Sequence, residues 1–201
     1  MKLVAFDLDG TLLRGNSVCE VIAEQMGHLD RMSEFETYRD VEEIVRAREE
    51  LVKYYQDETQ ENIVNMLEKV CLAPGLKEGV KLLQENNINI AIISITFEIA
   101  VKWFAEKLGI QYYVGTSYNT KGEIKHFWPE DKADWLQELA HQLEISADKI
   151  AAVGDSWGDV PMLNEAKYSY FVGENVPKSL DQVIHFPKGS ILEISQHIIK
   201  T

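Results

Sequence analysis

Basic residues and cysteines are scarce in this sequence of 201 residues. Its 20 lysines and arginines are outnumbered by 33 aspartates and glutamates, which gives a formal net charge of -13. A surface of this sign repels nucleic-acid phosphates, so nucleic acid is not an expected partner. The two cysteines, Cys19 and Cys71, have no CxxC spacing, which argues against a disulfide scaffold and favours free thiols in a reduced compartment.

Long apolar runs are also absent. No run approaches the ~20 residues of a membrane span, and Asp7 interrupts the apolar run near the N-terminus, so no signal-peptide layout is present. We therefore expect a soluble cytoplasmic protein, a monomer or homodimer with no membrane partner. The length of 201 residues and the hydrophobic content of 45% are enough for one sizeable domain, or for one domain plus a small insert.

What the sequence does contain is a series of short apolar runs separated by helical patterns. The strands predicted from these runs are residues 3–9, 88–94, 111–116, 149–155, 168–173 and 182–186. The helices predicted from apolar periodicity are residues 74–87, 97–109, 131–143 and 191–200. Such alternation predicts an α/β fold with a doubly wound parallel sheet covered on both faces. The segment "TSYNTKGEIK" (116–125) predicts a small hairpin.

Residues 14–73 interrupt this alternation, because they carry no strand signal. Apolar residues recur every three or four positions between Glu34 and Gln56, and Thr59 is a candidate N-cap for a further helix. We therefore expect a helical cap over 14–73, inserted into a core formed by 1–13 and 74–201. Ligands of open α/β sheets lie beyond the carboxyl ends of the strands, so this insert would cover the site.

Acidic side chains cluster at the predicted strand ends. Asp7 and Asp9 end the first strand in "VAFDLDGTLL", Ser94 ends the second, and Asp155 and Asp159 follow a later one. The ends of parallel strands lie along one edge of the sheet, so these groups should meet there. Carboxylates brought together repel one another unless a cation is bound, and oxygen ligands without histidine or cysteine suit Mg²⁺.

Four segments resemble the motifs of the haloacid dehalogenase superfamily. They are "FDLDGTLL", Ser94 in "IISIT", Lys132 in "PEDKADWL", and "VGDSWGDVPML", and they occur in the family's order along the chain. The insert resembles the helical cap of the phosphoserine phosphatase-like branch. The resemblance implies a Rossmann-like core and a Mg²⁺-dependent phosphomonoester hydrolase that acts through an aspartyl-phosphate, with phosphoserine as the first candidate substrate.

The resemblance also implies the role of each motif residue. Asp7 would be the nucleophile, Asp9 the general acid and base, and Lys132 the cation that neutralises phosphate charge and holds Asp7. The residues that would bind the metal are Asp7, Asp9 through its backbone carbonyl, and Asp155, together with Asp159 as a further ligand or an orienting partner. Those that would bind phosphate or substrate are Thr11, Ser94, Ile95, Arg48 and Asn16.

Arg48 has two interpretations. It shares a helical stripe with Val41, Val45 and Val52, so a cation lies on an apolar face of the predicted cap. Either its stem packs there while its head reaches water, or its guanidinium binds a substrate carboxylate in a bidentate pair.

The chain departs from the phosphoserine phosphatase pattern near the predicted substrate. Asn16 stands where a cap glutamate is usual, with Glu20 one helical turn later, Ile95 and Thr96 replace two glycines, and Gly158 replaces an asparagine. The phosphotransfer residues are intact. A phosphatase for another small phosphorylated metabolite, such as an amino alcohol or sugar, is therefore an alternative. A phosphate-binding module without turnover is a further one.

Overall fold

A single sheet forms the centre of the structure, a computed structural model that describes residues 1–180 and 182–201. The strands within these residues are β1 (Leu3–Phe6), β2 (Asn89–Phe97), β3 (Tyr112–Tyr118), β4 (Ile124–Lys125), β5 (Ile150–Gly154), β6 (Tyr168–Phe171) and β7 (Ile184–His185). Their order across the sheet is β4-β3-β2-β1-β5-β6-β7. Every neighbouring pair is parallel except β3 and β4, which form the predicted hairpin.

Helices occupy the predicted insert and cover both faces of the sheet. Those of the insert are α1 (Val18–Gln25), α2 (Leu29–Phe35), α3 (Val41–Gln56) and α4 (Gln60–Leu67). Those that accompany the strands are α5 (Leu76–Glu85), α6 (Glu98–Leu108), α7 (Asp131–Gln142), α8 (Val160–Glu165) and α9 (Ile191–Ile198). The predicted doubly wound α/β fold is confirmed.

Strand β1 shows why the central strands are apolar at every position. Val4 and Phe6 point into one hydrophobic core, which also contains residues of α5 and α9. Leu3 and Ala5 point to the opposite face, into a second core with residues of α7 and α8. Since successive side chains of a strand alternate between faces, a strand buried on both sides carries no polar position.

The insert is joined to the rest of the chain through a narrow neck. Leu13 and Leu72 form an isolated antiparallel bridge. Beside it the Arg14 N–H donates to the Cys71 carbonyl at 2.8 Å, and the Ala73 N–H donates to the Leu12 carbonyl at 2.9 Å. The chain therefore enters and leaves the four helices at one place, directly after the turn that follows β1.

The helices of the insert follow the predicted pattern with two differences. The Thr59 side chain caps α4 by accepting from the Asn62 N–H, as expected. However, α2 ends at Phe35, and α3 begins only after Asp40, whose side chain accepts from the backbone of α3. Val41 at the start of the apolar stripe is 60% exposed, so the buried part of the stripe begins further along α3.

Two strands differ from prediction where they approach the site. β1 ends at Phe6, and the chain then makes an irregular turn over Leu8–Leu12. β2 continues past Ser94 to Phe97, with an irregularity in its pairing with β3 after Ile93. Ser94 therefore lies inside a distorted strand and not at its end. Among the helices that the structure describes, none is long and apolar enough to cross a membrane.

Candidate active site

Lys132 connects two carboxylates at the carboxyl edge of the sheet. Asp7 directly follows β1, Lys132 is the second residue of α7, and Asp159 immediately precedes α8. The Lys132 ammonium donates to Asp7 Oδ1 at 2.7 Å and to Asp159 Oδ1 at 2.6 Å. All three side chains are buried. Charge-assisted hydrogen bonds of this length hold the nucleophile candidate in one orientation.

The charges in this cluster do not cancel. Burial favours the neutral amine of Lys132, but Asp159 and Asp7 outweigh that effect and raise the pKa of Lys132. Burial, and then repulsion by Asp159, raise the pKa of Asp7 well above its usual value. Asp155 adds a third carboxylate, and its pKa is raised to about 6 by burial and by Asp159. One ammonium thus faces three acidic groups.

The geometry of the three carboxylates fits a hard divalent cation. Asp7, Asp155 and Asp159 each offer an oxygen, and these oxygens lie within 4.8 Å of one another. An oxygen-only donor set with excess negative charge suits Mg²⁺. Asp159 has a structural role as well, because its Oδ2 accepts from the backbone N–H groups of Asp155 at 3.0 Å and Ser156 at 3.1 Å.

Gly10 is required by the close approach of Asp155. The residue has a φ of 77°, and a Cβ atom built there would collide with the Asp155 carboxylate. Arg14, which no motif in the sequence indicates, holds the same turn: its guanidinium donates to the Gly10 carbonyl and, at 2.7 Å, to the Thr11 carbonyl. The signal that could have indicated it is its position four residues after the glycine.

Asp9 lies on the insert side of the turn. Its Oδ1 accepts from the Val18 N–H at 2.7 Å, at the first residue of α1. Burial raises the pKa of Asp9 to about 6, although the Val18 hydrogen bond acts in the opposite direction. A carboxyl group with this pKa can both donate and accept a proton near neutral pH. Its side chain is not part of the three-carboxylate cluster, and its carbonyl as a metal ligand stays a prediction.

The predicted phosphate-binding hydroxyls are both buried. Thr11 donates to Asp155 Oδ1 at 3.3 Å, so it lies against the carboxylate cluster. Ser94 accepts from the Thr96 N–H at 3.3 Å, inside the distorted part of β2. The side chain of Ile95, the next residue, is partly exposed, and its carbonyl accepts from Thr116 at 2.9 Å.

Arg48 is only 8% exposed, so the interpretation that places its head in water is wrong. Its Nη1 donates to His126 Nδ1 at 3.2 Å, and its Nη2 donates to the Phe127 carbonyl at 3.2 Å. The guanidinium carbon lies 4.4 Å from the ring centre of Trp128. Burial lowers the pKa of Arg48 to about 10. Burial, and then repulsion by the Arg48 charge, lower the pKa of His126, which favours the neutral ring whose Nδ1 can accept a hydrogen bond.

Asn16 is not brought to the carboxylate cluster. It is exposed and lines a groove of about 560 Å³, together with Arg14 and Lys69. The Glu20 carboxylate is engaged as well, since it accepts from the Ser17 N–H at 2.7 Å in the capping box of α1. Within the described residues, neither side chain hydrogen-bonds to Asp7, Asp155 or Asp159, and substrate binding by Asn16 stays a prediction.

The family follows from the match between this chain and known proteins. Residues 4–164 match the model of the haloacid dehalogenase-like hydrolases. This chain belongs to that family. The match spans the turn with Asp7 and Asp9, Lys132 and the loop with Asp155 and Asp159, so it confirms the family predicted from the four motifs.

Relatives of this haloacid dehalogenase-like hydrolase include phosphoserine phosphatases. It is 28% identical over 174 residues to the phosphoserine phosphatase of Archaeoglobus fulgidus, covering 82% of this chain and 50% of that protein. It is 27% identical over 177 residues to that of Methanocaldococcus jannaschii, covering 82% of each. The chain thus spans half of the first relative and most of the second. A solved phospho-aspartyl intermediate analogue of phosphoserine phosphatase superposes with a TM-score of 0.80 at 22% identity, over 98% of both chains.

Proposed function

We propose that this haloacid dehalogenase-like hydrolase is a Mg²⁺-dependent phosphomonoesterase that converts O-phospho-L-serine and water to L-serine and phosphate. The observation that carries the proposal is the Lys132 ammonium, held within 2.7 Å of the buried Asp7 and 2.6 Å of Asp159. The similarity to the phosphoserine phosphatases of Archaeoglobus fulgidus and Methanocaldococcus jannaschii supports the choice of substrate.

Asp7 attacks phosphorus in the first step. One Asp7 carboxylate oxygen forms a bond to phosphorus while the ester bond between phosphorus and the serine oxygen breaks, which gives an aspartyl-phosphate. Asp9 donates its proton to the departing serine oxygen. Lys132 keeps Asp7 oriented and offsets negative charge that develops on the phosphoryl oxygens.

Water attacks the aspartyl-phosphate in the second step. Asp9, now a carboxylate, removes a proton from that water as the new bond to phosphorus forms and the bond to Asp7 breaks. The pKa of about 6 for Asp9 suits both transfers. Asp9 ends the cycle protonated, and Asp7 is free again as inorganic phosphate leaves.

The carboxylate cluster would hold the metal. Asp7, Asp155 and Asp159 would bind Mg²⁺, which would offset the charges of the nucleophile and the phosphate. Asp159 also fixes the loop through the N–H groups of Asp155 and Ser156, so its loss would affect more than one ligand.

Further residues would bind phosphate, and the insert would cover the site. Thr11, Ser94 and the backbone at Ile95 would bind phosphate oxygens. Residues 14–73 would act as a cap over a core made of 1–13 and 74–201, since the neck at Leu13 and Leu72 lies next to the site. Binding of the substrate by Asn16 stays a prediction, and binding of a substrate carboxylate by Arg48 is an alternative to the positioning role inferred below.

A panel of phosphomonoesters, assayed for phosphate release with and without Mg²⁺, tests the proposal. The panel would contain phosphoserine, phosphorylated amino alcohols, sugar phosphates and an aryl phosphate. We expect phosphoserine to give the highest kcat/KM and excess chelator to abolish turnover. A different best substrate would indicate the alternative small-metabolite phosphatase. Phosphate binding without release from any ester would indicate a binding module.

A further inference from the structure

Arg48 is a buried cation that makes no ion pair within 4 Å to any carboxylate in the part of the chain that the structure describes. Its partners are instead His126 Nδ1, the Phe127 carbonyl and the face of the Trp128 ring. A buried guanidinium costs free energy unless its donors are satisfied. The consecutive residues 126–128 therefore form a preformed binding site, called here the receptor, for the Arg48 side chain of α3.

The receptor lies next to two parts of the catalytic machinery. Arg48 Nη2 also reaches towards the Ile95 carbonyl at 3.5 Å, one residue after Ser94. Thr116 joins the two sides, because its hydroxyl donates to the Ile95 carbonyl at 2.9 Å and accepts from the Phe127 N–H at 3.3 Å. The guanidinium and the Thr116 hydroxyl thus hold the strand of Ser94 against the segment 126–128.

The segment 126–128 leads directly into the helix that carries Lys132. The Trp128 N–H donates to Asp131 Oδ2 at 2.7 Å, at the first residue of α7. Lys132 is the next residue, and its ammonium sets the position of Asp7. A displacement of 126–128 would therefore be transmitted to the start of α7 through one hydrogen bond and three peptide units.

We infer that Arg48 is a positioning residue that couples the seating of the insert on the core to the alignment of Ser94 and Lys132. His126 is its acceptor and Trp128 the surface on which it stacks. The inference rests on the proposed phosphatase activity, and it differs from recognition of a substrate carboxylate. A positioning role affects every phosphomonoester, whereas carboxylate recognition affects only substrates that carry a carboxylate.

The test uses 4-nitrophenyl phosphate, which has no carboxylate. Arg48→Met keeps the apolar stem, and His126→Phe keeps a ring but removes the acceptor. We expect each variant to lower kcat about tenfold, with a smaller change in KM, because the lost hydrogen bonds disturb the alignment of Ser94 and Lys132 around the phosphoryl group in the transition state more than they weaken substrate binding. His126→Asn, whose amide oxygen can replace Nδ1, should restore kcat to within about threefold of wild type.

Arg46→Met is the matched control, since Arg46 lies two residues away on α3 and its side chain is 71% exposed. It should retain wild-type kcat. Unchanged turnover of 4-nitrophenyl phosphate by Arg48→Met, with a loss confined to phosphoserine, would overturn the inference in favour of carboxylate recognition. Equal impairment by His126→Phe and His126→Asn would overturn it too, because the acceptor would then be irrelevant.

Amide hydrogen exchange gives a readout that does not depend on turnover. Arg48→Met should accelerate exchange in residues 94–97 and 126–132, and Arg46→Met should not. Faster exchange confined to α3 would overturn the coupling. If the wild type hydrolyses no phosphomonoester, the proposed function fails, while the exchange pattern still decides whether Arg48 couples the insert to these segments.

Discussion

The ammonium of Lys132 donates to Asp7 and to Asp159 at nearly equal distances, 2.7 and 2.6 Å. The two aspartates follow neighbouring strands, β1 and β5, that reach the same edge of the sheet. Lys132 therefore fixes the distance between the candidate nucleophile and the loop that holds Asp155. Removing any of these groups changes both the charge balance and the geometry of the site.

Asp7→Asn should abolish turnover while the fold persists. The amide occupies the same space but is a poor nucleophile, so we expect kcat to fall by at least about 10³-fold. Removing one buried charge from a crowded acidic cluster should leave the melting temperature unchanged or higher. Phosphate release and circular dichroism measure the two effects. Near-normal release by the folded variant would rule out Asp7 as the nucleophile.

Lys132→Met should destabilise the protein by about 3–5 kcal/mol at neutral pH, because it leaves buried carboxylates without their cation. The pKa of Asp7 is already raised by burial, so part of this loss should disappear as the pH is lowered and the carboxyl group takes up a proton. Urea unfolding at pH 7.5 and pH 5 measures the difference. A loss that is the same at both pH values would show that the ammonium acts through packing alone.

Mg²⁺ should stabilise the protein more at pH 7.5 than at pH 5. The folded-state pKa of Asp155 is raised to about 6, above the unfolded value of about 3.9, so the metal-free protein loses stability as the pH rises through that window. A cation bound to the carboxylates offsets this loss only where they are ionised. We expect the Mg²⁺-induced rise in melting temperature to be at least about 3 °C larger at pH 7.5. Equal rises at both pH values would place Mg²⁺ elsewhere.

Gly10→Ala should weaken metal-dependent activity far more than Gly15→Ala, although the two glycines have a similar backbone conformation. At Gly10 the φ is 77° and a Cβ atom would meet the Asp155 carboxylate, whereas Gly15 has a φ of 82° and no atom within 4 Å of its Cβ position. Both alanines should cost about 1 kcal/mol of stability through strain. Only Gly10→Ala should raise the Mg²⁺ concentration for half-maximal activity, by about tenfold or more. Equal effects on Mg²⁺ activation would show that strain, and not displacement of Asp155, is responsible.

The parallel sheet and the approach of Asp7, Asp155 and Asp159 to one another follow from the sequence pattern. Both depend on strand order and direction, which apolar runs and helical spacing predict. Family membership could be predicted because the motif residues occur in order along the chain. The position of Lys132 depends on the same motifs, since a lysine at a helix start is otherwise indistinguishable from one on the surface.

Other features depend on contacts that periodicity does not specify. Helical spacing places Arg48 on the apolar face of α3, but it does not reveal that His126 and Trp128 lie opposite. Ser94 lies within a longer strand because β2 pairs with β1 only up to Ile92 but with β3 as far as Phe97, across the irregularity after Ile93. These relationships are set by tertiary packing and not by local propensity.

The neck at Leu13 and Leu72 lies immediately after the turn that carries Asp9. The first N–H of α1 is the donor that opposes the rise in the pKa of Asp9. Lifting the insert for substrate entry would withdraw that donor and would also expose Asp9 to water. Because burial is the larger cause of the raised pKa, the exposed carboxyl group would favour its ionised form. Closing the insert would bury Asp9 again and restore its raised pKa once the substrate is in place. The opening of the site and the protonation state of Asp9 would therefore change together.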